Sequence, residues 1–170
     1  ALEASGLVTR SIAEPTGRGR PPVHWQLAPA AAGAFPDRHG ELTVDLLESV
    51  RATLGDRALD RVIMARADRQ AESYQESLAG VQRLGDRVQK LADLRSDEGY
   101  LAEVRHDDDG IMLIEHHCPI RDAATACGAL CKAELETFQR VLGPTVKVTR
   151  VQHLLEGDRR CAYRVEPATP

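Results

Sequence analysis

A chain of 170 residues, 42% hydrophobic and 28% charged, is long enough to bury a core and amounts to one domain or two small ones. Only 4% of it is aromatic and no apolar run approaches the ~20 residues of a membrane helix, so a transmembrane helix is excluded and no membrane partner is expected. A formal net charge of −4 excludes a uniformly basic nucleic-acid coat while leaving room for a local basic element.

The chain opens on Ala1 as though already inside a helix, which suggests a cut start. Leu2 to Thr9 has the form of a last helical turn, with Gly6 where a chain leaves through the left-handed conformation and Leu7-Val8 entering a strand. After Gly17-Arg18-Gly19-Arg20-Pro21-Pro22, the run Val23-His24-Trp25-Gln26-Leu27 alternates as a half-buried strand does, so the two segments predict a hairpin with a basic tip. From Gly40 to Asp97 the pattern is helical. Leu42, Leu46, Val50 and Leu54, then Leu59, Val62, Ile63 and Ala67, predict two or three helices. Leu78, Val81, Leu84, Val88, Leu91 and Leu94 keep a near-heptad spacing that suits either a dimer seam or a helix lying on its own domain.

Past Asp97 the period changes to that of strands. Tyr100–Arg105 and Ile111–His117 flank Asp107-Asp108-Asp109-Gly110, whose residues tolerate positive φ and so predict a hairpin. Pro119 to Leu142 reads as one helix stopped by Gly143-Pro144. A second hairpin, Val146–Val151 with Arg160–Val165, closes an order of strand, strand, helix, strand, strand.

All four cysteines, Cys118, Cys127, Cys131 and Cys161, fall in this last segment. On a continuous helix Cys127 and Cys131 point from one face, toward the interior, and Cys161 shares the inward side of the last strand with Tyr163 and Val165. Four thiols are therefore expected to converge where the helix packs on the sheet. Thiolates select zinc, copper(I) or iron–sulfur clusters over hard cations. Only one close pair has the spacing of a structural zinc site, so a cluster fits better, with zinc, unliganded core cysteines and disulfides left as alternatives. His116, on the side of Cys118, and His106 and His153 are conceivable further ligands or simply hydrogen-bonded strand-end histidines. No secretory signal precedes the cysteines, which favours a reducing cytoplasm. Neither a phosphate-binding glycine loop nor a nucleophile with an obvious base is present, so an enzyme is not expected.

Arg18 and Arg20 at the hairpin tip, with Arg10 entering it, are candidate phosphate or minor-groove contacts. The segment Gly17–Leu27 resembles the wing of the winged helix-turn-helix in ArsR/DeoR-like bacterial regulators, and Leu2 to Val8 resembles the end of their recognition helix. Glu115-His116-His117-Cys118-Pro119-Ile120, then Cys131 and Glu134 to Phe138, then Gly157–Tyr163 resemble the sensor domain of the SufR branch. That resemblance spans most of the chain and is distinctive at those segments. It implies a homodimeric repressor of iron–sulfur assembly genes that binds operator DNA when loaded with a cluster. Three cysteines recur in that branch at spacings that Cys118, Cys131 and Cys161 fill. Cys127 lies outside the triplet; it is either a fourth thiolate, for a 4Fe-4S cluster, or a bystander that leaves the last position to a histidine, a carboxylate or a small molecule.

The expectation is an α+β regulator. Residues 1–29 are a truncated winged helix, 37–96 a helical dimerisation linker, and 97–167 a C-terminal sensor domain with helices on antiparallel strands. The alternative function is a zinc-stabilised DNA-binding or interaction protein without redox sensing.

Overall fold

A computed structural model describes residues 1–14, 19, 21–107 and 110–168, divided into two compact units, Ala1–His39 and Gly40–Pro170. In the first unit the backbone of Leu7 closes a six-residue turn by donating to the Leu2 carbonyl at 3.0 Å, with Gly6 at φ 72°. Strands β1 (Val8–Ile12) and β2 (Val23–Leu27) follow and pair antiparallel, Arg10 opposite Trp25. The expected half-burial of β2 is not seen: Trp25 is 54% exposed, because a two-stranded ribbon offers its side chains no second layer within this unit. Arg18 and Arg20, the expected basic tip, lie outside the described residues.

The second unit is mixed α/β. Helices α1 (His39–Leu54), α2 (Asp56–Ser77) and α3 (Leu84–Asp97) precede strands β3 (Ala102–Asp107) and β4 (Gly110–Glu115). Helices α4 (Arg121–Ala126) and α5 (Ala129–Leu142) then lead to β5 (Val146–Gln152) and β6 (Cys161–Pro167). The four strands form one antiparallel sheet in the order β3-β4-β6-β5, so β3 and β5 are its edges. Gly110 opens β4 where a Cβ would come within 3.0 Å of the Val165 carbonyl oxygen, so its missing side chain lets β6 approach.

Two expectations about helix continuity are corrected. The near-heptad stripe from Leu78 to Leu94 is not one helix. Leu78 caps α2, Gly80 turns the chain at φ 82°, and α3 starts at Leu84. Val88 and Leu91 are fully buried in their own unit's core, so this stripe is spent on the sheet and is not a seam for a second chain. The Pro119–Leu142 helix is likewise broken: Cys127 adopts extended backbone (φ −145°, ψ 92°) between α4 and α5.

That break lets α5 serve two cores. Phe138, Val141 and Leu142 join Tyr74, Leu78, Val88, Leu91, Leu113, Tyr163 and Val165 between helices and sheet. Phe138 meets Tyr163 edge to face at 5.0 Å. The other side of α5, Leu130 and Ala133, packs with Leu59, Ile63 and Ala67 of α2 and with Ala123 and Cys127. Residues 40–168 thus share one continuous body, with no unit boundary between the helices and the strands.

Candidate metal centre

Three of the four cysteines come together. Cys118 lies in the turn after β4, where the backbone of His117 donates to the Tyr100 carbonyl at 3.1 Å. Cys131 stands on the first turn of α5, and Cys161 opens β6 directly across from Glu115. All three are half-buried and all are thiols rather than disulfides. Burial raises each thiol's pKa and each feels the Glu134 carboxylate as a further upward push; Cys161 adds to the rise at Cys118, and Cys118 and Cys161 to that at Cys131. Cys131 is driven furthest, to about 11, although the Arg150 guanidinium pulls the other way. Backbone N–H groups of Ile120 and Leu154 approach the sulfurs of Cys118 and Cys161 and favour their thiolate forms.

Cys127 does not join them. It is 5% exposed and belongs to the cluster between α1, α2 and α5, on the opposite side of α5 from Cys131. The expected shared face required an unbroken helix, and the kink at Cys127-Gly128 removes it. Among the described residues, no three His, Cys, Asp or Glu side chains converge on a point where one metal ion would sit.

Beneath the thiols lies a polar network that the sequence reading did not single out. Arg95 of α3 is 0% exposed. Its Nε donates to Glu115 Oε1 at 2.6 Å, one terminal nitrogen to Glu98 at 3.2 Å and the other to Glu134. The guanidinium also stacks 3.3 Å from the Tyr100 ring centroid. Glu134 accepts a second hydrogen bond, from the Tyr163 hydroxyl at 2.7 Å, and sits 3.7 Å from Arg150. With three carboxylates around one arginine, burial wins at Glu115 and pushes its pKa up to about 7. Two signals were available. Arg95 continues the inward stripe Leu84, Val88, Leu91, and Glu115 continues the inward alternation Ile111, Leu113.

The histidines separate clearly. His116 is partly exposed and pairs with Glu103 at 3.0 Å, while His106 and His117 are exposed. His153 is the most enclosed of the four, its side chain 15% exposed and its Nδ1 3.2 Å from Glu156 Oε1. Two nitrogens here are buried with no hydrogen-bond partner, Arg150 Nε and His153 Nε2. Both residues line one depression together with Cys131.

Arg10, the described member of the expected DNA-contacting set, borders a shallow surface with Pro21, Val23 and Trp25. Among the described residues, no helix is long and apolar enough to cross a membrane. No protein-family model matches the chain, and no curated protein does either.

Proposed function

We propose that the chain is an iron–sulfur cluster-sensing transcriptional regulator of the SufR type, its cluster held by Cys118, Cys131 and Cys161. One observation carries this reading: three half-buried thiols from a turn, a helix and a strand gather so that Cys118 feels Cys161 and Cys131 feels both, with two partnerless buried nitrogens in the depression that Cys131 lines. The donor set is soft, half-desolvated and next to a guanidinium, which suits an anionic inorganic centre. A cluster binds each thiolate through a different iron, so its ligands need not crowd around one point. When bound, the group supplies a redox- and oxygen-labile centre. The residues below it do the positioning: Glu134 holds the Tyr163 hydroxyl and Arg95, and Arg150 grips the Cys131 carbonyl at 2.5 Å. The remainder of the proposal is a winged helix to which the β1-β2 ribbon belongs, repression of iron–sulfur assembly genes in the cytoplasm, operator contacts by Arg10, Arg18 and Arg20, and a homodimer. Exposed Leu42, Leu46 and Leu54 of α1 are an apolar surface available to a second copy.

The test is anaerobic purification followed by iron, zinc and acid-labile sulfide analysis and a Mössbauer spectrum of iron-57-enriched protein. Iron with matching sulfide, lost in the Cys118→Ser, Cys131→Ser and Cys161→Ser variants and kept in Cys127→Ser, is the expected result. Zinc without sulfide overturns it.

A further inference from the structure

The geometry points to His153 as the fourth, non-cysteine ligand of the centre held by Cys118, Cys131 and Cys161. This rests on the cluster reading above and names the residue that completes it.

A one-residue bulge puts His153 in position. In the β5-β6 ladder Arg150 pairs with Tyr163, but Gln152 pairs with Ala162, so Val151 is an extra residue without a partner. In a regular ladder residue 152 would face Cys161 and residue 153 would fall a step further, on the opposite face of the sheet. The extra residue shifts the phase by one. Carried on by one step through the extended backbone of His153 (φ −134°, ψ 114°), it sets His153 level with Cys161, on the face that Cys161 and Tyr163 share. The next residue, Leu154, turns its N–H toward the Cys161 sulfur, so the two segments are in contact there.

The imidazole is set for donation to a metal. His153 Nδ1 lies 3.2 Å from Glu156 Oε1, so the tautomer protonated on Nδ1 turns that proton toward a carboxylate and leaves the lone pair on Nε2. That Nε2 is buried and has no partner, a cost that a coordinate bond to iron removes. Beside it the Arg150 Nε–H is a buried donor with no acceptor, which an anionic cluster sulfide or thiolate satisfies. The same depression is lined by Cys131, Arg150, His153, Glu156 and Asp158, and Asp158 fixes the His153 backbone N–H at 2.6 Å.

The competing donors are committed elsewhere. Cys127 is in the α2-α5 core, Glu134 has both oxygens engaged, and His116 is bound to Glu103. On binding, each of the three thiols would give up a proton, whereas a neutral imidazole ligating through Nε2 gives up none and keeps its proton on Nδ1. The centre carries one negative charge fewer than it would with four thiolates, and histidine ligation raises its reduction potential.

The experiment is pulsed EPR of the full chain, reconstituted anaerobically and reduced with dithionite, grown with natural-abundance or nitrogen-15 histidine. A strongly coupled nitrogen that changes with the histidine label, disappears in His153→Gln and persists in His116→Gln is the expected result. Measuring the unsubstituted protein first keeps the test independent of whether the variant folds. A cluster with no histidine coupling, or a coupling that survives His153→Gln, overturns the assignment and leaves the cluster reading standing. A chain that takes up iron without sulfide under the same reconstitution overturns both.

Discussion

Replacing Arg95 by Met removes a fully buried cation while keeping a flexible side chain of similar reach against Tyr100 and Phe138. Glu115 and Glu134 are then left as desolvated carboxylates, and breaking a buried pair in this way costs about 3–5 kcal/mol. The loss must depend on pH. Glu115 in the folded chain titrates near 7 against an ordinary 4.5, so the native state binds the extra proton between those values and stability falls as pH rises through them. Without Arg95 the Glu115 pKa climbs further, and each additional unit costs about 1.4 kcal/mol once pH exceeds it. At pH 5 Glu115 is protonated in both proteins and the penalty is smallest; at pH 8 it is largest. Urea melts of the cluster-free protein at both pH values measure the gap, and Arg95→Met combined with Glu115→Gln recovers part of it in a double-mutant cycle. A gap below about 1 kcal/mol that is the same at pH 5 and pH 8 refutes the argument, because it shows that these carboxylates are hydrated in solution.

Gly80→Ala forces a Cβ onto φ 82° with open space around it, so the cost is backbone strain alone, about 1–2 kcal/mol by urea denaturation. Tyr163→Phe deletes the hydroxyl that donates to Glu134 at 2.7 Å and lowers stability by about 1.5–3 kcal/mol, the range for a hydrogen bond to a charged group. Burial pushes the Cys131 thiol up to about 11, so loading of the proposed cluster would release protons: reconstitution yield is expected to rise from pH 6 to pH 9, and a weakly buffered titration to show acidification. Arg10→Ala reduces the slope of log affinity against log salt for duplex DNA by about 1, measured by fluorescence anisotropy; an unchanged slope excludes a phosphate contact there.

The hairpins were legible because their signals are local. Gly and Asp at turns, alternation in Val146–Val151 and Arg160–Val165, and the left-handed Gly6 all declare themselves within a few residues. Sheet order was not, since β4 pairs with β6 across two helices and a strand, and no local pattern encodes a pairing of that range. The Cys127-Gly128 kink escaped because helical periodicity runs on through it, Leu130 and Leu135 keeping step with the apolar spacing that follows. A bulge is harder still to read: Val151 looks like any strand valine until its partners are known. The network that joins Arg95 to Glu115 and Glu134 was not legible for a different reason. Charged residues on an inward stripe read as its polar margin, and only the convergence of α3, β4 and α5 shows that they neutralise one another.

The two outermost strands of the sheet carry solvated charged side chains: Glu103, Arg105 and Asp107 on β3 and Lys147 on β5. Docking another chain's main chain against either would strip water from those groups, so the ladder resists lengthening by strand addition. Protection from fibril-like stacking is therefore written into the border of the sheet itself, whether or not the thiols above it hold anything.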